Sequence, residues 1–164
     1  MTTATSSSSV LARWHMLGRL PFGRWLFSKL IGAVVPYAAS IDARVALLEE
    51  GRAQVRLRDR RAVRNHLKSI HAVALTNLAE LAANLALMTR EHSNSRWIVT
   101  GMETRFVKKA RGPITAETFV PPVDWSSPGE LIGSVTLRDA ANEVVMTASQ
   151  HWKTGPARLT AKGA

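Results

Sequence analysis

The sequence predicts an α+β fold: an antiparallel β-sheet wrapped around one long central helix, with amphipathic helices ahead of it. Three observations carry this. Residues 70–88 hold no Gly, no Pro and, apart from Glu80, no formal charge, and their Ala and Leu content favours a helix. A helix that is apolar all round cannot rest on a surface and must be wrapped by other structure. The segments around it alternate polar and apolar residues with a period of two, as half-buried strands do, with a hairpin before the helix and four strands after it.

Residues 1–10 are rich in Ser and Thr without periodicity and are expected to be a disordered leader. Two short amphipathic helices follow, near Leu11 to Leu20 and Gly23 to Val35, broken at Pro21 and stopped before Pro36. Residues 11–40 thus form a helical segment packed on the domain. No acid occurs before Asp42, while Arg13, Arg19, Arg24 and Lys29 are spread among Trp14, Leu17, Trp25, Phe27, Leu30 and Ile31. That composition also suits peripheral contact of residues 11–35 with a membrane. The uncharged run from Leu30 to Ile41 is too short to span one.

The main domain is expected over residues 41–153. Val45 to Leu48 reads as a strand, Glu49 to Gly51 as a turn and Arg52 to Arg60 as the second arm of a hairpin. In that arm Arg52, Gln54, Arg56, Arg58 and Arg60 alternate with Ala53, Val55 and Leu57, so one face is core and the other strongly basic. Beyond the helix, Glu91 to Arg96 is a polar loop, and strands are expected at Trp97 to Lys109, Ile114 to Val120, Leu131 to Arg138 and Val144 to Lys153. Gly112-Pro113 and Asp139 to Asn142 are tight connections, and Pro121 to Gly129, with three prolines and Trp125, interrupts the sheet. Residues 154–164 are expected to be a flexible tail.

Within the central helix Ser69 is placed as N-cap, and Arg90 suits the C-terminal end. Asn77, Glu80 and Asn84 stand at i, i+3 and i+7 and so share a face, with Thr76 beside it. A carboxylate here is costly to bury unless it is paired or given a task. His71 and Glu80 are nine positions apart, on opposite sides of the helix and separated along it by roughly 13 Å. One helix cannot join them at one centre. A two-fold pair of antiparallel helices would bring His71 of one subunit near Glu80 of the other, which predicts a homodimer, or a dimer of dimers, with composite sites.

Composition bounds the chemistry. The length suits one domain with a real core. The absence of Cys excludes disulfides, thiolate metal ligands and Cys nucleophiles, and fits a cytoplasmic setting, with membrane association as the alternative. No zinc spacing, Gly-rich nucleotide loop or nucleophile-elbow Ser occurs, so metal ligands and resident cofactors are assigned none. A formal charge of +10, from 22 Lys and Arg against 12 Asp and Glu, points to an anionic partner or surface. For nucleic acid, charge is the only support, and that partner is not adopted.

Asn65, then His71 six positions on, then Glu80 nine further, resembles the Asn-x5-His-x8-acid spacing of hotdog-fold thioesterases of the phenylacetate-pathway type. The wording Asn65-His66-Leu-Lys-Ser-Ile-His71-Ala72 and the leader Pro21-Phe22-Gly23-Arg24 are similar to a bacterial group of thioesterase-like hotdog domains. The resemblance runs from about Leu11 to Trp152. Two departures stand out: Ala72-Val73 replaces the Gly-Gly pair of the better-known thioesterases, and Lys68 stands where they have Gly.

The resemblance implies hydrolysis of acyl-CoA or acyl carrier protein thioesters, with coenzyme A only as part of the substrate. Asn65, His71 and Glu80 are the implied catalytic residues. Asn65 would orient the water or the thioester oxygen, and Glu80 from the partner would be general base. Backbone N–H groups near Ile70 to Ala72, at the positive end of the helix, would face the developing oxyanion. Asn77 would line the substrate site, and Arg105, Lys108 and Lys109 would meet coenzyme A phosphates. Some arginines of the hairpin and the N-terminal helices, as an acyl-tunnel lining, are further candidates. The rival reading is a non-catalytic acyl-thioester or lipid-binding module.

Overall fold

Covering one apolar helix decides the architecture. The structure, a computed structural model, describes residues 8–157. Its helices are α1 (Ser9–Gly18), α2 (Gly23–Val34), α3 (Pro36–Ala39) and α4 (Ala72–Met88). Its strands are β1 (Arg44–Glu49), β2 (Arg52–Leu57), β3 (Ser95–Phe106), β4 (Ile114–Phe119), β5 (Gly129–Arg138) and β6 (Val144–Pro156). They form one antiparallel six-stranded sheet in the order β1-β2-β4-β5-β6-β3, curled around α4. This is the hotdog arrangement.

The inner face of the sheet supplies Val55, Leu57, Ile114, Ala116, Val135, Leu137, Met146 and Trp152, and α4 answers with Leu78, Ala79, Ala82, Ala83, Ala86 and Leu87, all with at most 1% exposure. Alanine in the middle of the helix lets its backbone approach the sheet at the density of a protein interior. Trp152 is accommodated by a missing side chain: a Cβ at Gly133 would lie 2.8 Å from the indole ring. Asn84 ties helix to sheet, its Oδ1 accepting from Gln150 Nε2 (2.8 Å) and Trp152 Nε1 (3.0 Å).

The C-terminal end of α4 is clamped to the β1–β2 turn. The Gly51 N–H donates to Thr89 Oγ1 (2.7 Å), and Arg90 donates to Val120 O (2.9 Å) and pairs with Glu50 (2.8 Å). Gly51 has a φ of +70°, and a Cβ there would meet the Arg90 guanidinium at 2.3 Å. Arg90 is therefore a strut between turn and loop. Of the two sheet edges, β1 is shut by α2, since the Val45 N–H donates to Ser28 Oγ (3.0 Å). The edge of β3 carries no further strand among the described residues.

Several boundaries differ from the expectation. α4 starts at Ala72 and not Ile70, and its cap is His71, not Ser69. Ser69 is unavailable because its hydroxyl donates to Asn65 Oδ1 and its carbonyl accepts from the Asn65 N–H. α1 begins at Ser9 with Ser8 as its cap, so residues 9 and 10 of the expected leader are helix, while residues 1–7 lie outside the described residues. Pro36 ends α2 but also opens α3, where its missing N–H costs nothing. β3 stops at Phe106, and Lys108 and Lys109 lie past it. Of the expected flexible tail, residues 154–156 close β6, with Thr154 and Gly155 buried, and residues 158–164 lie outside the described residues.

Gly133→Ala forces the Trp152 ring or the strand to move and is expected to lower stability by about 1–3 kcal/mol. Urea unfolding followed by tryptophan fluorescence measures this.

Candidate functional site

The side of α4 turned away from the sheet is roofed by α1 to α3. The roof depends on a sharp turn: Phe22 has a φ of 62°, and a Cβ at Gly23 would lie 1.7 Å from the Leu17 carbonyl oxygen, so no other residue fits there. The two helices lock through Trp14 against Phe27, edge to face at 5.1 Å. Arg24 lies 5.4 Å over the Trp14 ring. α3 is held to α4 by Asn77, whose Nδ2 donates to Tyr37 O (3.2 Å).

Between roof and helix is a pocket of about 570 Å³. Leu17, Phe27, Ile31, Leu81, Leu85 and Met88 make it apolar, and Asn77, Glu80 and Asn84 are its polar floor. The size falls in the range of pockets that bury a small organic ligand. The three polar residues differ in how they are satisfied. Asn77 and Asn84 are spent on structure, holding α3 and β6. Glu80 is half-buried, and none of the ion pairs among the described residues involves it. Its carboxylate stands among mostly apolar walls, with Arg13 lining the same pocket but not paired with it, and can accept a hydrogen bond from a ligand or water.

At the other end, the segment leading into α4 is a built loop. Asn65 Oδ1 accepts from the N–H of Leu67 (2.9 Å), the N–H of Ser69 (3.2 Å) and the Ser69 hydroxyl (3.1 Å). This leaves only the Nδ2 of Asn65 for a ligand. Lys68 sits in the same turn with a φ of 55°, a conformation that favours glycine. Asp59 ties the loop to the body, accepting from Arg64 Nε (2.6 Å) and the Gly112 N–H (2.8 Å). The hydrogen bond from Arg64, with that from Gly112, holds the Asp59 carboxyl below its usual range.

His71 caps α4 with its side chain: the Val73 N–H donates to Nδ1 (3.1 Å), so the exposed Nε2 is the ring's outward donor. The N–H groups expected to face an oxyanion are only partly available. Ile70 is buried and donates to Ala110 O (2.9 Å), and His71 donates to Val63 O (2.8 Å). The Ile70 N–H is thus spent on the β3–β4 connection and is not open to a ligand. Ala72 is exposed in the first turn, where backbone N–H groups lack intrahelical partners.

His71 and Glu80 stand on different sides of the helix within one chain, and the structure does not bring them together. Lys108 bridges Asp139 (2.7 Å) and Glu143 across the β5–β6 connection, so its charge is neutralised; Arg105 and Lys109 are exposed. The apolar roof residues Leu17, Val34 and Tyr37 were not singled out as site residues by sequence. Their only signal is the spacing that makes α1 and α2 amphipathic.

The family model described as Domain of unknown function (DUF4442) matches residues 23–154. No curated protein matches the chain. Among solved structures, genomics target APC5556 is 30% identical, with 90% of this chain and 98% of that chain covered and a TM-score of 0.77. PA5026 of Pseudomonas aeruginosa, described as a protein of unknown function and probable thioesterase, is 24% identical over 84% of this chain and 97% of that chain, with a TM-score of 0.71. A mutant of the phenylacetic acid degradation protein PaaI from Thermus thermophilus is 16% identical over 72% and 97%, with a TM-score of 0.62.

Lys68→Gly relieves the left-handed backbone at the cost of Gly entropy and is expected to raise stability by about 0.5–1 kcal/mol in urea unfolding. Asp59 gives a pH test. Its folded pKa lies below the unfolded value, so its stabilisation is fully present above about pH 4 and is lost as the pH falls through the folded value. Acid unfolding of Asp59→Asn is expected to be less steep with pH than that of the wild type.

Proposed function

We propose that this chain, which belongs to the DUF4442 family, is a thioesterase-like protein that hydrolyses acyl-CoA or acyl carrier protein thioesters as a homodimer. The observation that carries this is the carboxylate of Glu80, without an ion-pair partner among the described residues, on the floor of an apolar pocket. An acyl chain suits the walls, and a thioester is neutral, so its carbonyl can approach a carboxylate that would repel a free fatty acid.

In the proposed reaction a water gives its proton to Glu80 while its oxygen attacks the thioester carbonyl carbon. The oxyanion faces the Ala72 N–H at the positive end of α4. Collapse of the intermediate breaks the C–S bond, and the thiolate takes the proton back, releasing acid and thiol. His71 Nε2 and Asn65 Nδ2 are the remaining outward donors of that loop, and Arg105 and Lys109 are the cations left for coenzyme A phosphates. A dimer supports this chemistry because His71 and Glu80 are apart within one chain. The uncovered edge of β3, 12 residues long with Ile98 and Phe106 exposed, suits strand pairing between two copies.

A second reading, an acyl-thioester or lipid-binding module without turnover, is favoured by one observation. Asn65 Oδ1 and the Ile70 N–H, two groups the sequence offered for the reaction, are consumed by hydrogen bonds within the chain.

Thiol release from acyl-CoA substrates of graded chain length separates the two. Hydrolysis of medium or long chains is expected, with kcat falling at least about a hundredfold in Glu80→Gln and KM little changed. Wild-type activity no greater than that of Glu80→Gln at every chain length removes the hydrolase reading, and tight acyl-CoA binding in its place establishes the second.

A further inference from the structure

The roof that makes the pocket also carries, among the described residues, the two most exposed large apolar side chains. Phe22, at the apex of the α1–α2 turn, is 85% exposed, and Val34 is 75% exposed. Met16 of α1 and Leu20 in the turn after it are exposed, and on α2 Leu26, Leu30 and Val34 follow one turn apart and are exposed too. Leu30 and Val34 line the pocket together with Arg13 of α1. Val35 and Tyr37 continue the patch onto α3, again both exposed and pocket-lining. A contiguous exposed apolar surface of this kind marks an interaction site.

Its charge selects the occupant. Arg13, Arg19 and Arg24 are exposed on the same helices and the turn between them, and the first acid of the chain, Asp42, pairs with Lys29. A second copy docking through the same face about a two-fold axis would set these cations against themselves. An anionic lipid surface meets both demands: the cations lie at the headgroups while the apolar row sinks into the acyl boundary. The apex is shaped for that. Phe22 is held out from the fold by a left-handed backbone and by the close fit of Gly23 beneath Leu17. We infer that α1 to α3 form a docking face for an anionic bilayer, with Phe22 as its inserting side chain and the pocket mouth turned toward the lipid. This holds whether or not Glu80 hydrolyses anything.

The experiment is sedimentation of the full-length protein with vesicles of phosphatidylcholine alone and of phosphatidylcholine with phosphatidylserine. Binding to the anionic vesicles, weakened by salt, is expected. Phe22→Asn keeps a residue that tolerates the left-handed conformation and is expected to lower partitioning about tenfold. Arg13→Gln and Arg19→Gln, which remove exposed charges only, are each expected to lower it about fivefold. No binding to anionic vesicles, or binding untouched by all three substitutions, overturns the inference. So does a fall in solution mass on Phe22→Asn, which would assign the patch to a second copy, or capture by an acidic carrier protein with no binding to lipid.

Discussion

A helix apolar around its whole circumference sets the terms for everything else in this chain. One curled sheet covers the side bearing Leu78, Ala79, Ala82, Ala83 and Ala86, and does not cover the stripe of Asn77, Glu80 and Leu81. Burying that stripe takes another layer, which is what α1 to α3 provide. The layer is not filled to core density, because Leu17, Phe27 and Ile31 stop short of α4 and leave the pocket between them. The pocket is thus the remainder of a packing problem that the sheet solves on one side only.

The three polar residues on α4 show why one of them is available for chemistry. An amide can be buried at modest cost once it finds partners, and Asn77 Nδ2 reaches a backbone carbonyl while Asn84 Oδ1 accepts from two side-chain donors. The carboxylate in the same row makes no ion pair among the described residues: Arg13 lines the same pocket without pairing with it, and most other Arg and Lys lie on the outer face of β2, around the roof and beyond β3. None of the ion pairs among the described residues uses the Glu80 carboxylate, which is the pattern of a residue kept for a ligand.

The hotdog order was legible because its signals are long: a helix without Gly or Pro, and strands whose alternation persists for six residues or more. The polar stripe of α4 was legible for the same reason, as fixed spacing on a regular helix. The loop from Arg60 to His71 was not. Its conformation rests on one side chain, Asn65, accepting three donors, and on Lys68 adopting a backbone that its residue type disfavours. Periodicity carries no trace of either, so Ser69 read as a cap and Ile70 as a free donor when both were already committed. The roof failed differently. Its helices were visible, but which of their residues meet α4 depends on the angle set by Phe22 and Gly23, a tertiary fact.

That turn also explains how one segment can serve two surfaces. In a short amphipathic helix the apolar stripe ordinarily faces the core and the rest faces water. α2 instead has a broad apolar stripe in which Phe27 is buried while Leu26, Leu30 and Val34 beside it are exposed. Only the Phe27 part of it is satisfied by packing on this chain. The segment has no acid before Asp42, and the turn between its helices is fixed by the left-handed backbone of Phe22 and by Gly23, where any side chain would meet the Leu17 carbonyl. The turn that sets α2 over α4 therefore also leaves Leu26, Leu30 and Val34 outward, and the geometry of the pocket and the exposure of the patch are one constraint seen from two sides.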